Sequence, residues 1–328
     1  MPEEPRKAEA CASAERGASW LLTLLEADGS FRGGAAALDC YYKAPCALAF
    51  AGYPAEAARV LDFVSRRFLR PAGDLDGSGV AWYDRFRIYP HAWLLWGAIE
   101  LGRTEMAKAL AGFLDSQRNP LTGGFRADAE GTEEIMTTSL AGLALLRHGH
   151  TETARGAGEW LERMLAGQPD LREGLIHVWK PGIGLTAGDG SVWFRVNASE
   201  PRQWYFQYGI SAALLADLAR VTGETRWLDL ARRYLHASAH CHGDRYSTPQ
   251  SGKIGWGAAW TQALSRRPED ESLVDAVIGG LVALQGGDGS WNAEGVYDPQ
   301  PGADNAAGRI DVTSEFVALL SMMGRRHG

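Results

Sequence analysis

The stretch Gly287-Asp288-Gly289-Ser290-Trp291 has close relatives earlier in the same chain: Ala27-Asp28-Gly29-Ser30-Phe31, Leu75-Asp76-Gly77-Ser78-Gly79 and Leu121-Thr122-Gly123-Gly124-Phe125. A turn written four times marks an internal repeat, and a repeat restricts the fold more than composition does. The segments that follow the first three turns also match. Residues 38–69, 83–114 and 133–165 each read as an apolar helix, a glycine-centred break at Gly52, Gly102 or Gly149, and an amphipathic helix. Glycine just past a helix end is the expected stop. Residues 202–238 and 252–284 supply a fourth and a fifth pair. Residues 309–327 give the first helix of a sixth, and the helix around Ala12–Glu26 is its expected partner.

The first helix of each pair is apolar nearly all round, so it is buried on most sides. The second carries apolar residues at i, i+3 and i+4, so it is half exposed. Buried first helices and half-exposed second helices make two concentric rings. The expected fold is therefore all-α: one (α/α)6 toroid domain over residues 1–328, its sixth hairpin closed by the two chain ends. Strand signals are confined to loops. The best is Ile176–Val196, which predicts a small β-hairpin inside the long 176–203 connection. Asp and Gly suit the tight recurring turn, which ends one hairpin and returns the chain to the next. It is expected to be structural.

Composition excludes several classes. The net charge of −7 argues against a nucleic-acid partner. No apolar run reaches the ~18 residues of a membrane span. The first residues are charged and do not read as a signal peptide, so a cytoplasmic location is expected. The four cysteines, Cys11, Cys40, Cys46 and Cys241, have no regular spacing and fit reduced thiols. The 12 tryptophans point either to an aromatic cavity or to many ring-packed turns.

Gly280–Trp291, with Gln285 ahead of the Gly-x-Trp turn, resembles the QW motif of squalene–hopene and oxidosqualene cyclases. Phe113–Phe125 is similar, with Phe in place of Trp, and Gly17–Phe31 keeps the turn with Glu26 near the Gln position. The resemblance implies the terpenoid cyclase and protein prenyltransferase α/α toroid superfamily. Its motif speaks to the fold and hardly to the reaction. Thr222–Leu235 also resembles helices common in carbohydrate-active (α/α)6 enzymes.

In a toroid of this kind the loops entering the inner helices carry the chemistry. The glycine breaks then align the candidate residues. Asp39, Lys43, His91, Glu134, Asp311 and Glu315 are the candidate catalytic residues, because carboxylates desolvated among apolar helices and a histidine near neutrality can carry protons. Tyr41, Tyr42, Asp84, Tyr89, Trp204, Tyr205, Gln207, Tyr208, Lys253 and Trp256 are the candidate substrate-binding residues. Local roles compete. Asp39 and Lys43 stand at i, i+4 and can pair. Asp39 and Asp311 can be N-caps, with Glu315 then the inward acid. Glu133 and Glu134 can favour a helix start.

Several motifs fail. Asp74 and Asp76 are followed by glycine and do not complete the Asp-x-Asp-Asp acid of class II terpene cyclases. No aspartate-rich diphosphate motif and no Walker loop occurs. Leu38-Asp39-Cys40-Tyr41 lacks one residue of the zinc-binding stretch of prenyltransferases. His236 and His240 share a helix face, but at an exposed helix end, so no metal and no cofactor are expected. The expected function is a cofactor-independent acid/base cyclisation, isomerisation or elimination on a mainly hydrophobic small molecule. The alternatives are a carbohydrate-active lyase, epimerase or hydrolase and a non-catalytic binding scaffold. Oligomeric state is left open.

Overall fold

A computed structural model describes residues 3–34, 37–292 and 306–324. Among them are twelve α-helices: α1 Glu3–Leu24, α2 Ala44–Phe50, α3 Pro54–Arg67, α4 Ile88–Glu100, α5 Thr104–Ser116, α6 Ile135–Arg147, α7 Thr151–Ala166, α8 Phe206–Thr222, α9 Thr225–Ser238, α10 Gly252–Ser265, α11 Pro268–Ala283 and α12 Ala306–Gly324. Even-numbered helices are the apolar ones. Every residue of α4 from Ile88 to Ala98 is buried, as is every residue of α6 from Ile135 to Leu146. Odd-numbered helices bury a single stripe: Ala57, Val60, Leu61 and Val64 in α3, and Ala107, Leu110, Ala111 and Leu114 in α5. This is the i, i+3, i+4, i+7 face of an amphipathic helix.

The chain forms two compact units, one running to Leu114 and resuming at Ile278, the other Asp115–Val277. In the first, α2 packs on α3, α4 and α12, and α1 packs on α12. The two ends of the chain thus make the expected sixth pair. In the second, α8 packs on α6, α9 and α10. A buried ion pair fastens two of these helices: Asp217 of α8 accepts from Arg220 and lies 3.4 Å from Arg147 of α6, whose guanidinium covers the Trp260 ring of α10.

The recurring turn has one design at four sites. Each closes with a single antiparallel bridge: Leu25 to Phe31, Leu69 to Leu75, Arg118 to Phe125 and Gln285 to Trp291. Each carries a left-handed glycine, with φ of +91° at Gly29, +80° at Gly73, +79° at Gly123 and +92° at Gly289. The reason is close approach as well as φ. A Cβ at these sites would collide with the carbonyl oxygens of Arg59 in α3, Ala109 in α5, Gly156 in α7 and Arg16 in α1, respectively. The second turn is therefore centred on Gly73, four residues before the Gly77 expected from the sequence. The aromatic-position N–H is hooked by a hydroxyl at the start of the next apolar segment. Phe31 donates to Tyr41 at 3.4 Å, Phe125 to Thr138 at 3.1 Å and Trp291 to Thr313 at 3.1 Å. Gln285 ties the last turn to α1, donating to the carbonyls of Ser13 (2.9 Å) and Gly289 (2.8 Å).

Two small antiparallel sheets are built from the connection before α8 and the residues leading into α6. In one, β3 (Val178–Lys180) pairs with β4 (Gly184–Leu185) and with β1 (Glu133–Glu134). In the other, β2 (Gly174–Ile176) pairs with β5 (Arg195–Asn197). The two strand signals of the expected hairpin meet in β2–β5, with Ile176 opposite Arg195, and β3–β4 is a second, shorter hairpin nested within the same connection.

Candidate functional site

The densest buried charge in the first unit lies where α2 begins. A 3-10 turn, Leu38–Cys40, precedes α2, and Pro45 sits at its second residue, where no N–H is needed. Lys43 is the N-cap residue, yet its side chain is 4% exposed. Its ammonium lies 3.0 Å from both carboxylate oxygens of Asp311 and 2.6 Å from Glu315. Asp311 is 2% exposed. It stands in the second turn of α12, which starts at Ala306, so it is not the N-cap that its sequence context indicated. Lys43 serves Asp311 and Glu315 as partners, so the local i, i+4 pairing with Asp39 gives way to long-range contacts.

Two carboxylates on one ammonium leave one net negative charge in an apolar setting. The electrostatics follow. Burial, reinforced by Glu315 and Asp39 and opposed by Lys43, raises Asp311 to about 6. Burial alone would strip Lys43 of its proton, but Asp311 and Glu315 outweigh it and hold the ammonium well above its ordinary range. Burial also raises Asp39, against hydrogen bonds from the Cys40 backbone and thiol. Aromatic faces close on the cluster: Lys43 Nζ is 5.0 Å from the centre of the Tyr42 ring, and Tyr42 meets Tyr89 edge-on at 5.9 Å and Trp82 at 5.7 Å. Burial pushes both phenols far above their ordinary range, so they stay protonated.

Tyr41, His91 and Asp84 are placed differently. Tyr41 stacks with Phe31 and packs on Phe63 and Phe68, behind the first turn. His91 is wholly buried and stacked on Phe113 at 4.3 Å. Its Nδ1 meets the Arg87 carbonyl at 2.9 Å, and its Nε2 lies 3.4 Å from Asp74, which also binds Arg87. Burial lowers the His91 pKa from its ordinary value, against the raising effects of Asp74 and the Arg87 carbonyl. Asp84 is exposed.

The second unit assembles a separate group. Glu134 caps α6, accepting from Thr137 N at 3.1 Å. Its other oxygen lies 3.7 Å from Nδ1 of His177, a buried residue between β2 and β3 that the sequence reading missed. The His177 ring lies 5.9 Å from Trp204, and Trp204 also touches Trp193 at 4.7 Å and Phe206 at 5.5 Å. Lys253, 4% exposed, places its ammonium 5.2 Å from the Phe206 ring. Gln207 is wholly buried, and so is Trp256, which packs edge-on against Trp260. Tyr205 donates to Asp244 at 2.6 Å, and Tyr208 accepts from the Cys241 thiol at 3.4 Å, so both hydroxyls serve the loop after α9. Among the described residues, no group of three or more His, Cys, Asp or Glu is placed to hold a metal ion.

No family model matches the sequence, and no curated protein matches it. Solved structures do match its fold. A family 76 glycoside hydrolase from a bovine Bacteroides thetaiotaomicron strain superposes with a TM-score of 0.66 at 12% identity, over 96% of this chain and 77% of that one. The α-1,6-mannanase of Salegentibacter sp. HEL1_6 gives 0.63 at 13% identity, over 96% and 98%. The type II terpene cyclase MstE from Scytonema, in complex with geranylgeranyl dihydroxybenzoate, gives 0.59 at 13% identity, over 97% and 98%. At these identities the likeness establishes the architecture: the chain has an all-α, α/α toroid fold.

Proposed function

We propose that this protein is an enzyme that moves a proton on a mainly hydrophobic small molecule, in a cyclisation, isomerisation or elimination without a cofactor. The observation that carries this reading is the single buried ammonium of Lys43 shared by Asp311 and Glu315 under the rings of Tyr42 and Tyr89. A carboxyl raised to about 6 exchanges its proton near neutral pH, which suits general acid or base work. Lys43 holds the carboxylates in place. The protonated Tyr42 and Tyr89 offer hydroxyl donors to an oxygen and ring faces to a developing cation. The fold shared with a type II terpene cyclase supports the reading.

The same fold supports a carbohydrate-active alternative through the mannanases. Variants of the Salegentibacter enzyme altered at two adjacent aspartates are inactive, and this sequence contains no Asp-Asp pair. It equally lacks the Asp-x-Asp-Asp acid of class II terpene cyclases, so the preference for the first reading rests on the Lys43 cluster.

The test is a thermal-shift panel of isoprenoid and polycyclic compounds against uronic acids and oligosaccharides. Mass spectrometry of the hits with wild type and Asp311→Asn then follows. A ligand that binds the native state raises its melting temperature. Isoprenoid hits are expected, with turnover falling about 100-fold or more in the variant while binding persists. Hits confined to sugars, or equal turnover by both proteins, would overturn the reading.

A further inference from the structure

The histidine pair at the end of α9 comes together in the structure. His236 stands in the last turn of α9, and His240 follows its C-cap, Ala239. The winding continues through both, since Ala239 N donates to the His236 carbonyl at 3.0 Å and His240 N to the Ala237 carbonyl at 3.3 Å. Side chains at i and i+4 of such a turn share a face. The two rings accordingly meet, with centroids 5.8 Å apart and planes at 83°. Both residues are exposed. Neither ring hydrogen-bonds to another group among the described residues, so each keeps a nitrogen for a ligand. Other histidines are committed: His91 to the Arg87 carbonyl, His177 to the Val192 carbonyl and His242 to Asp244 at 2.8 Å. The setting of the pair favours a cation. The C-terminal end of a helix carries the negative pole of its dipole. The Asp170 carboxylate, held by Arg172 at 2.6 Å, lies close enough to His240 for their charges to interact. Two imidazoles each about 2.1 Å from one metal ion have ring centres about 5 Å apart, so a small side-chain rotation closes the pair.

We propose that His236 and His240 chelate one late first-row divalent metal ion, zinc or copper, with water in the remaining positions. Imidazole nitrogen selects such ions over magnesium and calcium, which take oxygen ligands. Exposure at a helix end speaks against a resident cofactor and not against an exchangeable ion. The ion joins the last turn of α9 to the segment beyond it. That segment carries Cys241, which donates to Tyr208, and Asp244, which accepts from Tyr205. Metal binding therefore fastens the loop on which the start of α8 rests. The site stands on observations independent of the Lys43 cluster.

The experiment is calorimetric titration of the full chain, free of any affinity tag, with zinc, copper(II) and magnesium chlorides. NMR of the histidine rings follows each zinc addition. It uses wild type, His236→Ala, His240→Ala, the double variant and His242→Ala. One zinc ion per chain is expected, with copper bound more tightly and magnesium not at all. The His236 and His240 signals are expected to shift together. Each single variant leaves one ring and is expected to lose about tenfold or more in zinc affinity. His242→Ala removes a neighbouring exposed histidine and is expected to bind zinc as wild type does. Without metal all the variants are expected to melt as wild type does, because the rings are exposed. Added zinc is then expected to raise the melting temperature of wild type and of His242→Ala, and not that of the double variant. Undiminished zinc binding in the double variant, which marks an adventitious ion only, would overturn the inference. So would shifts of other histidines ahead of this pair, or no zinc binding at all.

Discussion

Replacing Asp311 by asparagine tests the buried cluster through stability alone. In the folded chain the carboxyl rises from 3.8 to about 6, with burial as the largest cause. The folded state therefore holds this proton more tightly than the unfolded state does. Its contribution to stability is complete below about pH 4, weakens as the pH rises and is gone above about pH 6. A rise of about two pH units, at about 1.4 kcal/mol each, makes the loss about 3 kcal/mol. The amide variant mimics the protonated carboxyl and titrates nowhere in this window. Urea unfolding of both proteins at pH 4, 5, 6 and 7 reads the difference directly, and the carboxylates outside the cluster cancel in it. The variant is expected to gain on wild type by up to about 1.4 kcal/mol per pH unit, ending more stable by about 3 kcal/mol at pH 7. An acid kept in a costly ionised state for function behaves this way. A difference that stays flat with pH, or a variant that loses ground as the pH rises, would refute the placement of Asp311 as a raised acid.

Four further outcomes are expected. Gly289→Ala forces a side chain into a φ of +92° with its Cβ 2.6 Å from the Arg16 carbonyl, so urea unfolding should show a loss of about 2 kcal/mol or more. Gly52→Ala, whose φ is +96° but whose Cβ meets nothing, should cost less than Gly289→Ala in the same assay. Asp217→Ala leaves the Arg147 guanidinium without its carboxylate partner and should lose about 3 kcal/mol, read as a lowered urea midpoint. His91 should stay neutral below its ordinary 6.5 in an NMR titration. Burial lowers its folded pKa, so its share of stability is present above pH 6.5 and is lost as the pH falls through the folded value.

The sequence makes the helices and their pairing legible because burial is written in it: α4 and α6 have no polar face, and α3 and α5 have one apolar stripe. The pairing of α1 with α12 follows from counting helices that lack a mate. The second turn was misplaced for a local reason. Asp76 does accept from Ser78 N at 3.0 Å, as Asp28 does from Ser30 N and Asp288 from Ser290 N, but the close approach to α5 belongs to Gly73. Of the candidate residues, Lys43, Asp311 and Glu315 come together in the buried cluster, but their pairing was not legible. Asp39 is the nearest partner along the chain for Lys43, whereas the acid it binds, Asp311, is 268 residues away. Asp311 looked like a helix start because Asp311-Val312-Thr313-Ser314-Glu315 has the form of a cap. Residues ahead of it extend the helix by more than one turn. His177 left no signal, being one histidine in a short strand-forming stretch.

The seating of the turn glycines has a consequence for how such a chain tolerates rearrangement. Gly29 rests on α3, Gly73 on α5, Gly123 on α7, and Gly289 on α1. Each turn is keyed to the outer helix of the pair that comes after it, and the last is keyed to the first helix of the chain. The order is cyclic, so no pair has a privileged place as the beginning. A new opening cut at an exposed break such as Gly102, with the old ends joined, keeps every one of these four seats. Removing a hairpin that carries a seat does not: loss of α4 and α5, for example, leaves Gly73 without the helix it rests on.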